Sequence, residues 1–257
     1  MKIFITLVVL LGLALNTSAA PKPQMFYEIK VYRITGPVQE SKMDAYLKDA
    51  YIPAVHKAGI KTVGVFKPVE TDTAFGKLVY VFIPFNTVNE YFDLEGKLEN
   101  DAVYKNAARD FLDAPVREAP FVRYESIFMR AFAGMPAFKT FSYQTPPSER
   151  IYELRSYESA TEAKAAKKIH MFNEGGEIGI FEKVGSNAVF YGQVLMGNLK
   201  PRLMYMTTYA DMKSHDEKWA AFRVHPDWMT LKAKPEYAST TSKTNAYLLH
   251  PTSYSDF

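Results

Sequence analysis

The chain writes one pattern twice, and that repetition constrains its fold more than any other feature. Phe26-Tyr27-Glu28-Ile29-Lys30-Val31-Tyr32 returns as Ile151-Tyr152-Glu153-Leu154-Arg155-Ser156-Tyr157. Thr62-Val63-Gly64-Val65-Phe66 is echoed by Glu177-Ile178-Gly179-Ile180-Phe181, and Leu78-Val79-Tyr80-Val81-Phe82 by Leu203-Met204-Tyr205-Met206-Thr207. Three echoes in one order mark a duplicated folding unit. A protein built from two halves offers a cavity between them as its natural ligand site.

Each half reads as strand, helix, strand, strand, helix, strand. Phe26–Ile34 alternates as a strand and Gly36-Pro37 breaks it. From Ser41 to Ala58 apolar residues recur at i, i+3, i+4 and i+7, an amphipathic helix closed by Gly59. Pro53 removes one backbone donor inside it and predicts a kink. Ile60–Val69 and Leu78–Phe85 read as strands, with Pro84 ending the pairing of the latter. Helical pieces follow, and Val122–Phe132 closes the unit. In the second half Thr161–Asn173 and Met212–Val224 read as helices, and Ile178–Val184 and Ala188–Val194 as extended pieces. Lys243–His250 is the last strand, and Asp227 reads as the N-cap of a short helix carrying Trp228. The expected division is a leader over 1–20, a first domain over 21–132, a linker over 133–149 and a second domain over 150–257.

A βαββαβ unit makes an antiparallel sheet with helices on one face. Its other face is bare, and the third strand is apolar on both sides, so the bare face needs a cover. The equivalent face of the other half supplies one. The class is therefore α+β, with two ferredoxin-like units paired within one chain.

Met1-Lys2 followed by the apolar run Ile3–Leu15 and the small residues Thr17-Ser18-Ala19 has the form of a cleaved secretory signal. This predicts export to the periplasm or beyond. No other stretch is apolar enough for a transmembrane span. The 257 residues contain no cysteine, which excludes disulfides, thiolate metal sites and cysteine nucleophiles. A formal charge of +3 gives no footprint for nucleic acid.

Tyr152-Glu153-Leu154-Arg155-Ser156-Tyr157, the Gly179-Ile180-Phe181 segment and His225-Pro226-Asp227-Trp228 together resemble NIPSNAP domains. Residues 27–32 resemble the same opening strand more weakly, with Lys30 in place of Arg155. The resemblance implies the dimeric α/β-barrel fold, built here from the two halves of one chain. It implies no particular reaction. Small monooxygenases, haem-degrading enzymes and chlorite-dismutase-like proteins share that fold by analogy alone.

Strand alternation places Glu28, Lys30 and Tyr32 on one face, and Glu153, Arg155 and Tyr157 on the corresponding face. With Tyr27, Ile29, Tyr152 and Leu154 assigned to the helical side, these charged triplets are expected to point into the barrel. There they would contact a polar group of a ligand, or else satisfy one another as ion pairs. His56 and His170 lie late in the first helices of the two halves, as a haem ligand, a general base, or histidines at a helix end. Tyr80 and Tyr205, with Met204, Met206 and Tyr209, either line an adaptable apolar pocket or belong to the core. No metal-spaced histidine pair, G-x-S-x-G elbow or phosphate loop occurs, so neither the catalytic residues nor a cofactor can be named. Two functions stay open: a small-molecule site, oxidative if it is catalytic, in the barrel or under a helix, and a protein-interaction module. Further homo-oligomerisation is compatible with both.

Overall fold

The structure is a computed structural model and describes residues 23–257. The leader expected over 1–20 lies outside the described residues. The first half contains β1 (Phe26–Arg33), α1 (Pro37–Tyr46), a π-helical turn (Leu47–Tyr51), α2 (Ile52–Lys57), β2 (Gly64–Pro68), β3 (Leu78–Phe85), α3 (Val88–Glu99), α4 (Ala102–Ala107), α5 (Arg109–Leu112) and β4 (Arg123–Ala131). The second contains β5 (Ile151–Glu158), α6 (Glu162–Asn173), α7 (Glu177–Lys183), β6 (Asn187–Met196), β7 (Arg202–Tyr209), α8 (Met212–Val224), α9 (Pro226–Lys232) and β8 (Lys243–Pro251).

The strands close a barrel in the order β1-β3-β2-β8-β5-β7-β6-β4. Each half contributes one antiparallel sheet, β4-β1-β3-β2 and β8-β5-β7-β6, and the halves join where β2 meets β8 and β4 meets β6. Closure leaves neither sheet with a free edge. Helices cover the outside of each sheet. Among the described residues no helix is long and apolar enough to cross a membrane.

The barrel interior is a packed core, as in other small eight-stranded barrels. Tyr27, Ile29, Phe66, Tyr80, Phe82, Met129, Tyr152, Leu154, Phe190, Met204, Met206 and Leu249 fill it from both halves. Rings meet across the two halves, Tyr27 with Phe190 at 5.2 Å and Phe66 with Tyr152 at 4.8 Å between centroids. Phe257 closes this core against Phe66, Phe82 and Tyr152. The expected strand faces are thus exchanged. Tyr27, Ile29, Tyr152 and Leu154 point inward, and the charged triplets point out beneath the helices. A closed interior has no water to solvate a charge, whereas the helix–sheet layer opens at its rim.

Several local expectations are corrected. Ile178–Val184 is the helix α7 and not an extended piece, so Ile178-Gly179-Ile180-Phe181 is no counterpart of β2; the second strand of the second half is β6. The third echo is slipped by one residue. Tyr27 lies opposite Pro84 and Tyr152 opposite Thr208, which sets Tyr80 equivalent to Met204 rather than to Tyr205. A slip of one residue reverses the face, so Tyr80 sits in the barrel and Tyr205 under the helices. Pro84 stays within β3, paired to Tyr27; β2 begins at Gly64 opposite Phe82, so no ladder bond to that neighbour is lost. Ahead of Pro53 the helix accommodates the missing donor through the π-helical turn Leu47–Tyr51. His225, not Asp227, is the N-cap of α9, its Nδ1 accepting from the Asp227 N–H. The stretch expected as a linker is pinned to the second half: the Lys139 N–H donates to the Val189 carbonyl, the Tyr143 hydroxyl donates to that of Thr208, and Phe138 packs on the barrel core.

Candidate functional site

A cavity of about 350 Å³ lies between the second sheet and its helices. Its floor is the outward face of β5, where Glu153, Arg155 and Tyr157 stand two residues apart. One wall is α8. His215, Trp219, Phe222 and Arg223 follow helical spacing and turn one face to the cavity, with Asp216 beside them. Asp211 caps this helix reciprocally with Ser214 and so fixes where it begins. Lys168 comes from α6, Glu177 from α7 and Trp228 from α9. Gly175 and Gly176 make the turn that delivers Glu177. Gly176 has φ 89°, and a Cβ on Gly175 would stand 2.5 Å from the Met171 carbonyl oxygen.

Two buried ion pairs organise the site. Lys168 Nζ donates to Glu177 Oε2 at 2.7 Å, with side chains 7% and 2% exposed. The Lys168 ammonium also lies over Phe172, Tyr157 and Trp228, at 4.8, 5.5 and 5.6 Å from the ring centroids. Burial raises the Glu177 carboxyl above its ordinary value, and Lys168 only partly offsets this. In the second pair Arg155 Nη1 donates to Glu153 Oε1 at 2.6 Å, while Trp219 Nε1 donates to Glu153 Oε2 at 2.5 Å. The guanidinium stacks 4.5 Å from the Trp219 centroid, and its Nε is buried with no hydrogen-bond partner among the described residues.

His215 joins this network. Its Nδ1 lies 2.8 Å from Asp216 Oδ1 and its Nε2 lies 3.4 Å from Glu153 Oε2, a long contact that leaves Nε2 without an aligned hydrogen bond. Burial works against a charged imidazole, but Glu153 and Asp216 outweigh it and raise His215 above its ordinary value. Burial would raise Glu153, yet His215 and Arg155 hold it below the ordinary carboxylate range. The site therefore sets an imidazole, made more basic than usual, between two carboxylates and beside an aromatic wall.

The equivalent region of the first half is filled. Lys30 Nζ donates to the Tyr51 hydroxyl at 3.2 Å and lies 3.9 Å from Glu28. Tyr46 stacks on Phe111 at 3.7 Å and shares a 2.9 Å hydrogen bond with Tyr104. Tyr32 packs in the same cluster, against Phe121. Of the candidate residues, Glu153, Arg155 and Tyr157 line the cavity, whereas Glu28, Lys30 and Tyr32 lie beneath the first half's aromatic layer.

Neither histidine raised as a haem ligand reaches the cavity. His56 Nε2 lies 2.8 Å from Asp256 Oδ2, and His170 Nδ1 lies 2.9 Å from the Tyr237 hydroxyl, each on the far side of its helix. Tyr80 belongs to the barrel core; Tyr205 is buried and bonds the Tyr157 hydroxyl at 2.8 Å. Sequence reasoning missed Lys168, Glu177, His215, Trp219, Arg223 and Trp228. Lys168 had a signal, a charge on the buried stripe Ala165, Lys168, Met171 and Phe172 of α6.

Fold and site together define a single-chain dimeric α/β barrel with an open helix–sheet pocket in its second half. The NIPSNAP family model matches residues 152–256, within the second half of the chain. A candidate monooxygenase from Lactobacillus acidophilus NCFM shares the fold at TM-score 0.56 and 14% identity, over 89% of this chain and 94% of that one. A candidate monooxygenase from Fusobacterium nucleatum does so at TM-score 0.54 and 9% identity, over 90% and 93%. An anthrone oxidase-like protein matches at TM-score 0.53 and 8% identity, over 91% and 94%. No curated protein matches the sequence.

Proposed function

We propose that this chain is an exported protein that binds a small molecule in the helix–sheet pocket of its second half. The observation that carries the proposal is the cavity of about 350 Å³, in which aromatic walls meet a network of fixed charges. That combination of apolar lining and few convergent polar groups characterises ligand sites. The barrel, the other place considered, is occupied by its own side chains. Export rests on the form of residues 1–20.

Catalysis, if it follows binding, falls to His215, whose imidazole lies at the cavity between Glu153 and Asp216. An oxidative reaction draws its support from the fold shared with the candidate monooxygenases and the anthrone oxidase-like protein. The test is native against denaturing mass spectrometry of the protein purified through its own export route. The expected result is one extra mass per chain that leaves on denaturation and is lost in Trp219→Ala. A ligand retained by that variant would place binding elsewhere. A second reading, a protein-interaction module, is favoured by the exposed Phe92, Val103, Leu112 and Val116 of the first half. Its test is whether aspartate at Phe92 and Val103 abolishes a complex that survives in Trp219→Ala.

A further inference from the structure

The pocket specifies a class of ligand, an inference that rests on the small-molecule reading above. Both tryptophans of the chain, Trp219 and Trp228, line this one cavity. Phe222 bridges them, with its ring centroid 5.6 Å from Trp219 and 4.8 Å from Trp228. The rings are set at 70° and 39° to one another, so the wall is aromatic and angled, and it favours an aromatic partner that can pack on it edge or face.

The polar groups are unevenly committed. Glu153 already accepts from Arg155 and Trp219 and faces His215. Glu177 is taken by Lys168, and Asp216 by His215. Each lining carboxylate thus already faces a cation or an N–H donor, Asp216 through Oδ1 alone. The cations are less committed. Arg155 Nε is buried without a partner, and Arg223, exposed beside the cavity, makes no ion pair or hydrogen bond among the described residues. A cationic ligand would meet these two arginines and carboxylates that already face cations or donors. An apolar ligand would leave the Arg155 donor orphaned. A carboxylate answers both, because a guanidinium fork matches it geometrically and electrostatically.

We infer that the pocket takes a planar aromatic monoanion, its ring against Trp219 and Trp228 and its carboxylate-like group held by Arg155 and Arg223. Arg155 and Lys168 are paired with Glu153 and Glu177, and Arg223 has no ion-pair partner among the described residues, which leaves one positive charge for a single anion to meet.

The test is calorimetric titration of the full chain with 2-naphthoate, its neutral isostere 2-naphthylmethanol and the non-planar acid cyclohexanecarboxylate. The side-chain N–H signals of the two tryptophans in the NMR spectrum report where binding occurs. The expected result is that naphthoate binds at least tenfold more tightly than either comparison and shifts both signals. Arg223→Ala, an exposed change that does not threaten folding, should weaken naphthoate severalfold and leave the alcohol unaffected. Arg155→Gln, checked for folding by circular dichroism, should remove the preference for the acid, and Arg155→Lys should restore it only in part. Equal binding of acid and alcohol would overturn the anion assignment and leave the pocket reading standing. Equal binding of the two acids would overturn the planar assignment. Binding by none of the three would overturn the inference as a whole, while the pocket reading is judged separately by the mass spectrometry.

Discussion

Removing Lys168 should destabilise the protein in a way that depends on pH, and the structure sets the size. The Lys168→Met variant keeps the volume and the contacts with Phe172 and Trp228 but leaves Glu177 buried without a counter-charge. Breaking such a pair typically costs about 3–5 kcal/mol. Glu177 has an escape, since it can take up a proton. At pH 7 protonating a carboxyl of ordinary pKa ~4.3 costs about 1.4 kcal/mol per unit, so the penalty is capped near 3–4 kcal/mol. The sign follows from the raised carboxyl. In the variant the folded pKa of Glu177 rises further above the unfolded one, so stability is fully present below about pH 4.3 and is lost as pH rises through the folded value. The gap from the wild type should be about 3 kcal/mol at pH 7 and roughly 1 kcal/mol at pH 5. The complementary Glu177→Gln strands an ammonium, and its gap should widen as pH falls. Urea unfolding followed by circular dichroism at the two pH values measures both slopes. A loss of equal size at both pH values, or slopes of one sign in both variants, would refute the reasoning.

Glu153→Gln should lower the pKa of His215 by removing one of the two carboxylates that raise it, and an NMR titration that stays unchanged would contradict the network. Because the folded value of His215 is raised, its contribution to stability is full below about pH 6.5 and fades as pH rises through the folded value; Glu153→Gln should flatten that fall. Phe257→Ala should cost about 3 kcal/mol in urea unfolding, since the ring packs on the barrel core against Phe66, Phe82 and Tyr152. Tyr51→Ala should cost about 3–5 kcal/mol by opening a void in the first half, yet leave the affinity for 2-naphthoate unchanged; altered affinity would mean that the halves share one site.

The sequence made the architecture legible because duplication and strand alternation are patterns along the chain. The first echo is in register, and β1 and β5 occupy equivalent places in their sheets. Alternation groups Glu153, Arg155 and Tyr157 but does not say which side of the sheet they face. Both faces of these strands carry tyrosines and aliphatics, so composition does not break the tie. Only closure of the barrel decides it, by leaving the interior dry. The slipped third echo has a related cause, because β3 and β7 are apolar on both faces and a one-residue shift leaves the pattern looking intact. The Ile178–Phe181 segment resembles β2 in composition, but the Gly175–Gly176 turn commits it to a helix. The rest of the site was hidden because it is assembled from α6, α7, α8 and α9, whose side chains converge only after packing on β5. His56 and His170 stand out as rare residues in matching helices, yet each bonds a partner outside the cavity, Asp256 and Tyr237.

The most direct test of the central claim is a crystal of the full chain soaked with 2-naphthoate. The account predicts electron density for one ligand per chain beside Trp219 and Trp228, with its carboxylate toward Arg155, and none beneath Tyr46 and Tyr51. Density in the barrel, beneath the helices of the first half, or nowhere near the two tryptophans would contradict it.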